Sequence, residues 1–189
     1  MATSLLPAAA PFLPRPCHHA PLLSPSARPF QPSSVLMVQW TPPPPGWFKM
    51  NFDASAARSA TAAAVVLAFA ERTEHSTVGI VEARAMIRGL RLALGLGLRR
   101  VVAEGDDLVL VQLLRGEETQ TRIPIAMQEE LHGLLRCFAG RDVRHVYREG
   151  NQVAHVLCRQ AYHSPGVWVG IVPSTVFEKA EDDMAAGLA

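Results

Sequence analysis

Polar and apolar residues alternate along WFKMNFDAS, residues 47–55. Phe48, Met50 and Phe52 fall on one side and Lys49, Asn51 and Asp53 on the other, the two-residue period of a strand with one covered and one polar face. Residues 62–70, AAAVVLAFA, form a short apolar run that reads as a second strand, and the polar stretch 71–79 reads as a turn with at most a stub of a third. A helical period takes over in residues 81–97, where Ala85, Met86, Leu90, Ala93 and Leu94 share a face and Gly95 or Gly97 supplies the stop. There follow a buried-type strand over 98–107, a short helix over 107–116 ended by Gly116, a loop, an amphipathic helix over 125–140, a strand and turn over 141–150, and a helix over 151–164 with Asn151 placed to cap it. Hairpin strands come first and strands separated by helices later. That order predicts an α/β domain whose mixed sheet is flanked by helices, with a right-handed crossover through helix 81–97.

Residues 1–45 do not share this patterning. They hold 12 of the 15 prolines and not a single acidic residue, the first being Asp53. Such a segment is expected to be disordered, and its basic, Ser-containing character also fits an organelle transit peptide for plastid or mitochondrion. Without one, nucleus or cytoplasm is the expected location. The proline run TPPPPG, residues 41–46, reads as a stiff spacer and domain boundary. The expected domain is 46–175, and the acidic residues 176–189 are expected to form a flexible tail. No apolar run reaches the length of a membrane span.

Formal net charge is +1, so no overall basic field holds nucleic acid, and any phosphate contact needs a local patch or bound metal. Cys17, Cys137 and Cys158 lack metal-ligand or disulfide spacing, which makes a reducing compartment the default.

Three carboxylates stand where chemistry gathers: Asp53 at the end of the first strand, Glu82 at the opening of the first long helix, Asp106 directly after a later strand. Singly they read as turn, cap or dipole-complementing residues. Together, if the two strands are parallel neighbours, they form an oxygen cage for hard divalent cations. The segments PPPPGWFKMNFDAS, VEARAMIRGLRLALGLGLRRVVAEGDD and VRHVYREGNQVAHVLC, in this order, resemble the plant RNase H-like domain of the reverse-transcriptase-associated type, over roughly 130 residues, the size of a single domain. The resemblance implies a five-stranded mixed sheet, hydrolysis of the RNA strand of an RNA–DNA hybrid by two Mg²⁺ or Mn²⁺ ions, and Asp53, Glu82 and Asp106 as metal ligands. An RNA–DNA hybrid is then the expected partner, bound by a monomer with no membrane attachment.

Two departures accompany it. The fourth acidic ligand falls at His155, a poor Mg²⁺ ligand that tolerates Mn²⁺ better, so one of the two metal sites is expected to be weakened. Between Asp53 and Glu82, Ala54 stands where the family has Gly, and only one convincing strand fits residues 56–80. His145, ten residues before His155, is either a proton relay for product release or one face of a strand. Arg148 and Asn151 precede the last helix, whose N-terminus can meet a phosphate; Asn151 is equally explained as a cap. Arg84, Arg88 and Arg91 form either a solvated stripe or a phosphate-tracking one, and Trp168 either stacks a base or packs. Three functions compete: a hybrid endoribonuclease, a nucleic-acid-binding module that has lost turnover, and a protein-binding scaffold.

Overall fold

The structure is a computed structural model that describes residues 40–53, 56–60, 65–73 and 77–186. The expected disorder and targeting role of residues 1–39 lie outside these residues, as do Cys17 and Ala54. Among the described residues, β1 (Phe48–Asp53), β2 (Ala56–Ala60) and β3 (Val65–Ala70) form an antiparallel meander, and β4 (Arg100–Gly105) and β5 (Gly140–His145) extend it in parallel on the far side of β1. With β6 (Gly166–Val169) the sheet has six strands in the order β5-β4-β1-β2-β3-β6. β1 and β4 are the parallel neighbours that a shared carboxylate site requires, with Asn51 in register with Glu104 and Phe52 with Gly105.

The helices sit on both faces. α1 (Val78–Gly95), α2 (Leu108–Arg115) and α3 (Ile125–Arg136) cover one, where Met50 and Phe52 pack with Met86, Leu90, Leu110, Leu131 and Phe138. α4 (Gln152–His163) and α5 (Ser174–Ala186) cover the other, where Ala68 and Ala70 meet Val153, Leu157, Val176 and Ala180. Helix ends follow local chemistry. Gly97 takes the left-handed conformation at φ 75° after α1, and the Leu98 amide bonds the Ala93 carbonyl. Asp107 caps α2 by accepting from the Leu110 amide at 3.0 Å, and Gly116 ends that helix at φ 80°. Among the described residues, no helix is long and apolar enough to cross a membrane.

The structure corrects five expectations. The hairpin is complete: its missing strand is Ala56–Ala60, ahead of the apolar run rather than behind it, and residues 71–73 carry no strand. The helix expected over 125–140 stops at Arg136, because the amides of Ala139 and Gly140 both bond the Arg99 carbonyl and turn the chain into β5. Residues 174–186 are helical rather than a flexible tail, since Val176 and Ala180, one turn apart, are fully buried against α4. The edge strand β6, with Trp168 half-buried in the same cluster, adds a sixth strand to the five implied by resemblance, and Trp168 therefore packs.

The fifth correction concerns the proline run, which is not a domain boundary. Ahead of it Trp40 is 4% exposed and donates from Nε1 to the Asn51 side chain at 3.2 Å. The chain then turns at Gly46 and enters β1. Trp40 lies over the supposedly polar face of β1, which is buried along its length. Lys49 is 2% exposed, pairs with Glu104 at 2.9 Å, and sits 5.1 Å from the centre of the Trp40 ring. Asn51 completes the set by donating to Glu104 at 3.3 Å. A lysine and a glutamate taken out of water together keep their charges only because each has the other and further polar partners.

Candidate metal centre

Parallel pairing of β1 and β4 brings Asp53 and Asp106 to the same end of the sheet, and α1 delivers Glu82 from above. Oxygens from the three carboxylates lie within 4.8 Å of one another. α1 begins at Val78, three residues earlier than expected, so Glu82 stands in its second turn and does not serve the helix N-terminus. Asp107, not Asp106, takes the capping role at α2. The dipole-complementing reading therefore does not apply to Glu82, nor the helix-cap reading to Asp106.

Burial makes the cluster costly. Glu82 is 3% exposed and its Oε2 is buried without a hydrogen-bond partner. Its carboxyl is pushed up to about 9, first by burial and then by the negative charges of Asp53, Asp106 and Asp107. Asp106 is raised as well, by burial first and Asp53 second, against lowering contributions from hydrogen bonds and the Arg148 charge. Three oxygen donors, close together and destabilised by one another, with one lone-pair set unsatisfied, suit a divalent cation: its charge would reverse each of these penalties. The residues present therefore fit such an ion.

His155 contributes differently from an acidic ligand. Its Nδ1 lies 3.1 Å from Asp53 Oδ2 and its Nε2 lies 3.3 Å from Arg148 Nη2. A guanidinium can only donate, so Nε2 accepts and Nδ1 carries the proton that is given to Asp53. Both ring nitrogens are thus engaged, and the imidazole holds one oxygen of Asp53 in place.

Asn151 occupies the N-cap position of α4, but its side chain makes no capping bond. Instead it is 2% exposed and donates to the Phe52 carbonyl at 2.8 Å, and it also hydrogen-bonds Asp106. Its expected role as a side-chain cap is corrected: the amide ties α4 to the backbone beside Asp53, and almost none of it reaches solvent. His145 ends β5 in register with Gly105, one residue before Asp106, and meets Tyr147 edge to face at 5.2 Å. Arg148 is exposed at the rim. Of the arginine stripe, Arg88 pairs with Glu71 and Arg91 with Glu130.

Several residues that shape the centre escaped the reading from sequence. Lys49, Asn51 and Glu104 form the buried network two to four residues behind the carboxylates. Gly105 leaves room for the Phe52 ring: a Cβ there would lie 2.3 Å from the ring. The available signal was a lysine and a glutamate set inside otherwise apolar strands, where charges must be paired.

Comparison with known proteins places this geometry. A family model described as reverse transcriptase-like matches residues 53–161. Among solved structures, the fold is similar to the N-terminal RNase H domain of a Mycobacterium tuberculosis protein, solved as a maltose-binding-protein fusion, at 21% identity and a TM-score of 0.57 over 61% of this chain and 98% of that one. It is similar to RNase H1 of Halobacterium salinarum, at 21% identity and TM-score 0.55, over 61% and 97% of the two chains. LC11-RNase H1, solved in complex with an RNA/DNA hybrid, aligns at 13% identity and TM-score 0.51, over 61% and 93%. No curated protein matches the sequence.

Proposed function

The chain belongs to the reverse transcriptase-like family and carries its RNase H-like domain, and from this premise we propose that it binds RNA–DNA hybrids and hydrolyses their RNA strand with Mg²⁺ or Mn²⁺ at Asp53, Glu82 and Asp106. The observation that carries the reading is the convergence of three carboxylate oxygens within 4.8 Å around a buried, unpartnered Glu82 oxygen. A bound divalent ion supplies the positive charge that activates water and stabilises the leaving oxygen of a phosphodiester. The chain's own residues do the rest. Asp53 and Asp106 present oxygens from adjacent strand ends, Glu82 closes the set from α1, and Asn151 fixes the backbone between them. His145, at the end of the neighbouring strand, is the group we assign to pass a proton to the departing oxygen. Arg148, at the rim, is assigned to contact a phosphate. Structures solved as RNase H domains, one of them holding an RNA/DNA hybrid, support the choice of substrate by analogy of fold.

A second reading has its own support. His155 stands where the resemblance calls for a fourth acid and is already committed to Asp53 and Arg148. A centre with three carboxylates and this imidazole favours one ion over two, and a domain that binds hybrids without cutting them follows from it. Incubation of the full chain with a labelled hybrid in Mg²⁺ and, separately, Mn²⁺ decides between them. Cleavage that disappears in Asp53→Asn is expected. Binding without cleavage in either metal would transfer the assignment to the second reading.

A further inference from the structure

We propose that the cleft between the end of β3 and α1 is a second contact site for nucleic acid, taking backbone phosphates of the strand that passes the metal centre; the assignment rests on the hybrid-binding reading above. The cleft has a volume of about 230 Å³, with Phe69 among its walls, Glu71, Arg72 and Thr73 on the chain leaving β3, and Arg84 and Arg88 on α1. That is room for a phosphate and its sugar.

Charge separates this cleft from an ordinary solvated face. Glu71 neutralises Arg88 through a 2.8 Å contact with its Nε, which orients the guanidinium. Arg72 is anchored through one nitrogen to the Tyr162 carbonyl at 2.9 Å, a neutral partner, and among the described residues no carboxylate pairs with it. Arg84 has no hydrogen bond or ion pair among the described residues, although it borders both this cleft and the neighbouring one lined by Arg91 and Glu130. Among the described residues that line the cleft, three guanidiniums stand against one carboxylate, in a chain whose formal total is +1. Arg91, Arg115 and Arg144, by contrast, are each paired with a carboxylate. Guanidiniums held at one nitrogen with the remaining N–H groups exposed are suited to the forked, bidentate contact that phosphate accepts. Thr73 adds a hydroxyl donor.

The position fits a strand already engaged at the metal centre. Ala70, at the end of β3, pairs with Ala56, which pairs with Asp53. Two inter-strand steps put the cleft roughly 10 Å from Asp53 across the sheet. At 3.4 Å of rise per nucleotide, that is about three nucleotides along one strand.

The test is the salt dependence of binding. The full chain and an Arg72→Ala/Arg84→Ala variant, both checked for folding by thermal melting, are titrated against a fluorescent RNA–DNA hybrid in Ca²⁺ over a series of KCl concentrations. Arg136→Ala, at an exposed position on α3, is the control. Loss of two phosphate contacts predicts that affinity falls about tenfold and that the slope of log K against log salt shrinks by about 2, while the control is unchanged. An unchanged slope in the double variant, with the wild type still binding, would overturn the cleft assignment and leave the proposed function intact. Failure of the wild type to bind hybrid would overturn both. In that case Arg84-dependent heat on titration with inorganic pyrophosphate would reassign the cleft to a small phosphate ligand.

Discussion

His155 donates a hydrogen bond from Nδ1 to Asp53 across 102 residues of chain, while its other nitrogen accepts from Arg148. The pair fixes a carboxylate by means of an imidazole ring at the place where a fourth carboxylate would otherwise complete the cage. Replacing the ring by a carboxylate is therefore informative. His155→Asp is expected to lower metal-free thermal stability, because it adds a like charge beside Asp53, and to raise the number of Mn²⁺ ions bound per chain from one to two, counted by electron paramagnetic resonance of free Mn²⁺. Equal stoichiometry in wild type and variant would remove the argument that His155 weakens a second site.

The Glu82 carboxyl gives the metal-free protein a definite pH dependence. Folding raises it from 4.5 to about 9. Between those values the native state keeps a proton that the unfolded chain has released, so stability contributed by protonated Glu82 is complete below about pH 4.5 and is lost as pH rises towards 9. In EDTA the melting temperature should decline over that window, and Glu82→Gln should flatten the decline. Added Mn²⁺ should restore stability most at the alkaline end, where no proton competes for the oxygens. A melting temperature that rises with pH in EDTA would contradict the burial argument.

Gly105 and Phe52 occupy one volume between them. Gly105→Ala places a methyl group 2.3 Å from the ring and should cost about 1–3 kcal/mol in urea unfolding, with a parallel loss of metal affinity because the residues next in chain are Asp106 and Asp53. Combining it with Phe52→Leu should recover part of both losses. Additive losses in the double variant would argue against the contact.

The Lys49–Glu104 pair supports the centre from below. Glu104→Gln leaves a buried ammonium without its counter-ion and should destabilise the protein by about 3–5 kcal/mol, whereas replacing both partners by apolar residues should cost far less. Chemical denaturation of Glu104→Gln, Lys49→Met and the double apolar variant measures the coupling.

Much of the centre was legible from sequence because its parts obey short-range rules. Alternation in WFKMNFD placed Asp53 at a strand end, and an apolar run ending in two acids placed Asp106 just beyond one. β2 was invisible for the opposite reason: AARSA has no alternation and little strand propensity, and its neighbours β1 and β3 impose the conformation. The polar face of β1 was read correctly as polar, but its burial was not legible, since a period of two cannot tell water from a buried ion pair. Asn151 was placed at a helix start by its residue type, but its partner, the Phe52 carbonyl, lies 99 residues away and only the fold could reveal it.

Trp40 has a consequence for how the protein can be processed. Its indole covers Lys49 and bonds Asn51 from a point upstream of the four prolines. An N-terminal cut anywhere between Trp40 and Trp47 would strip that cover and wet a charge pair that holds β1 against β4. Whatever role residues 1–39 play, any protease that removes them must stop before Trp40 for the mature chain to keep the geometry of its carboxylates.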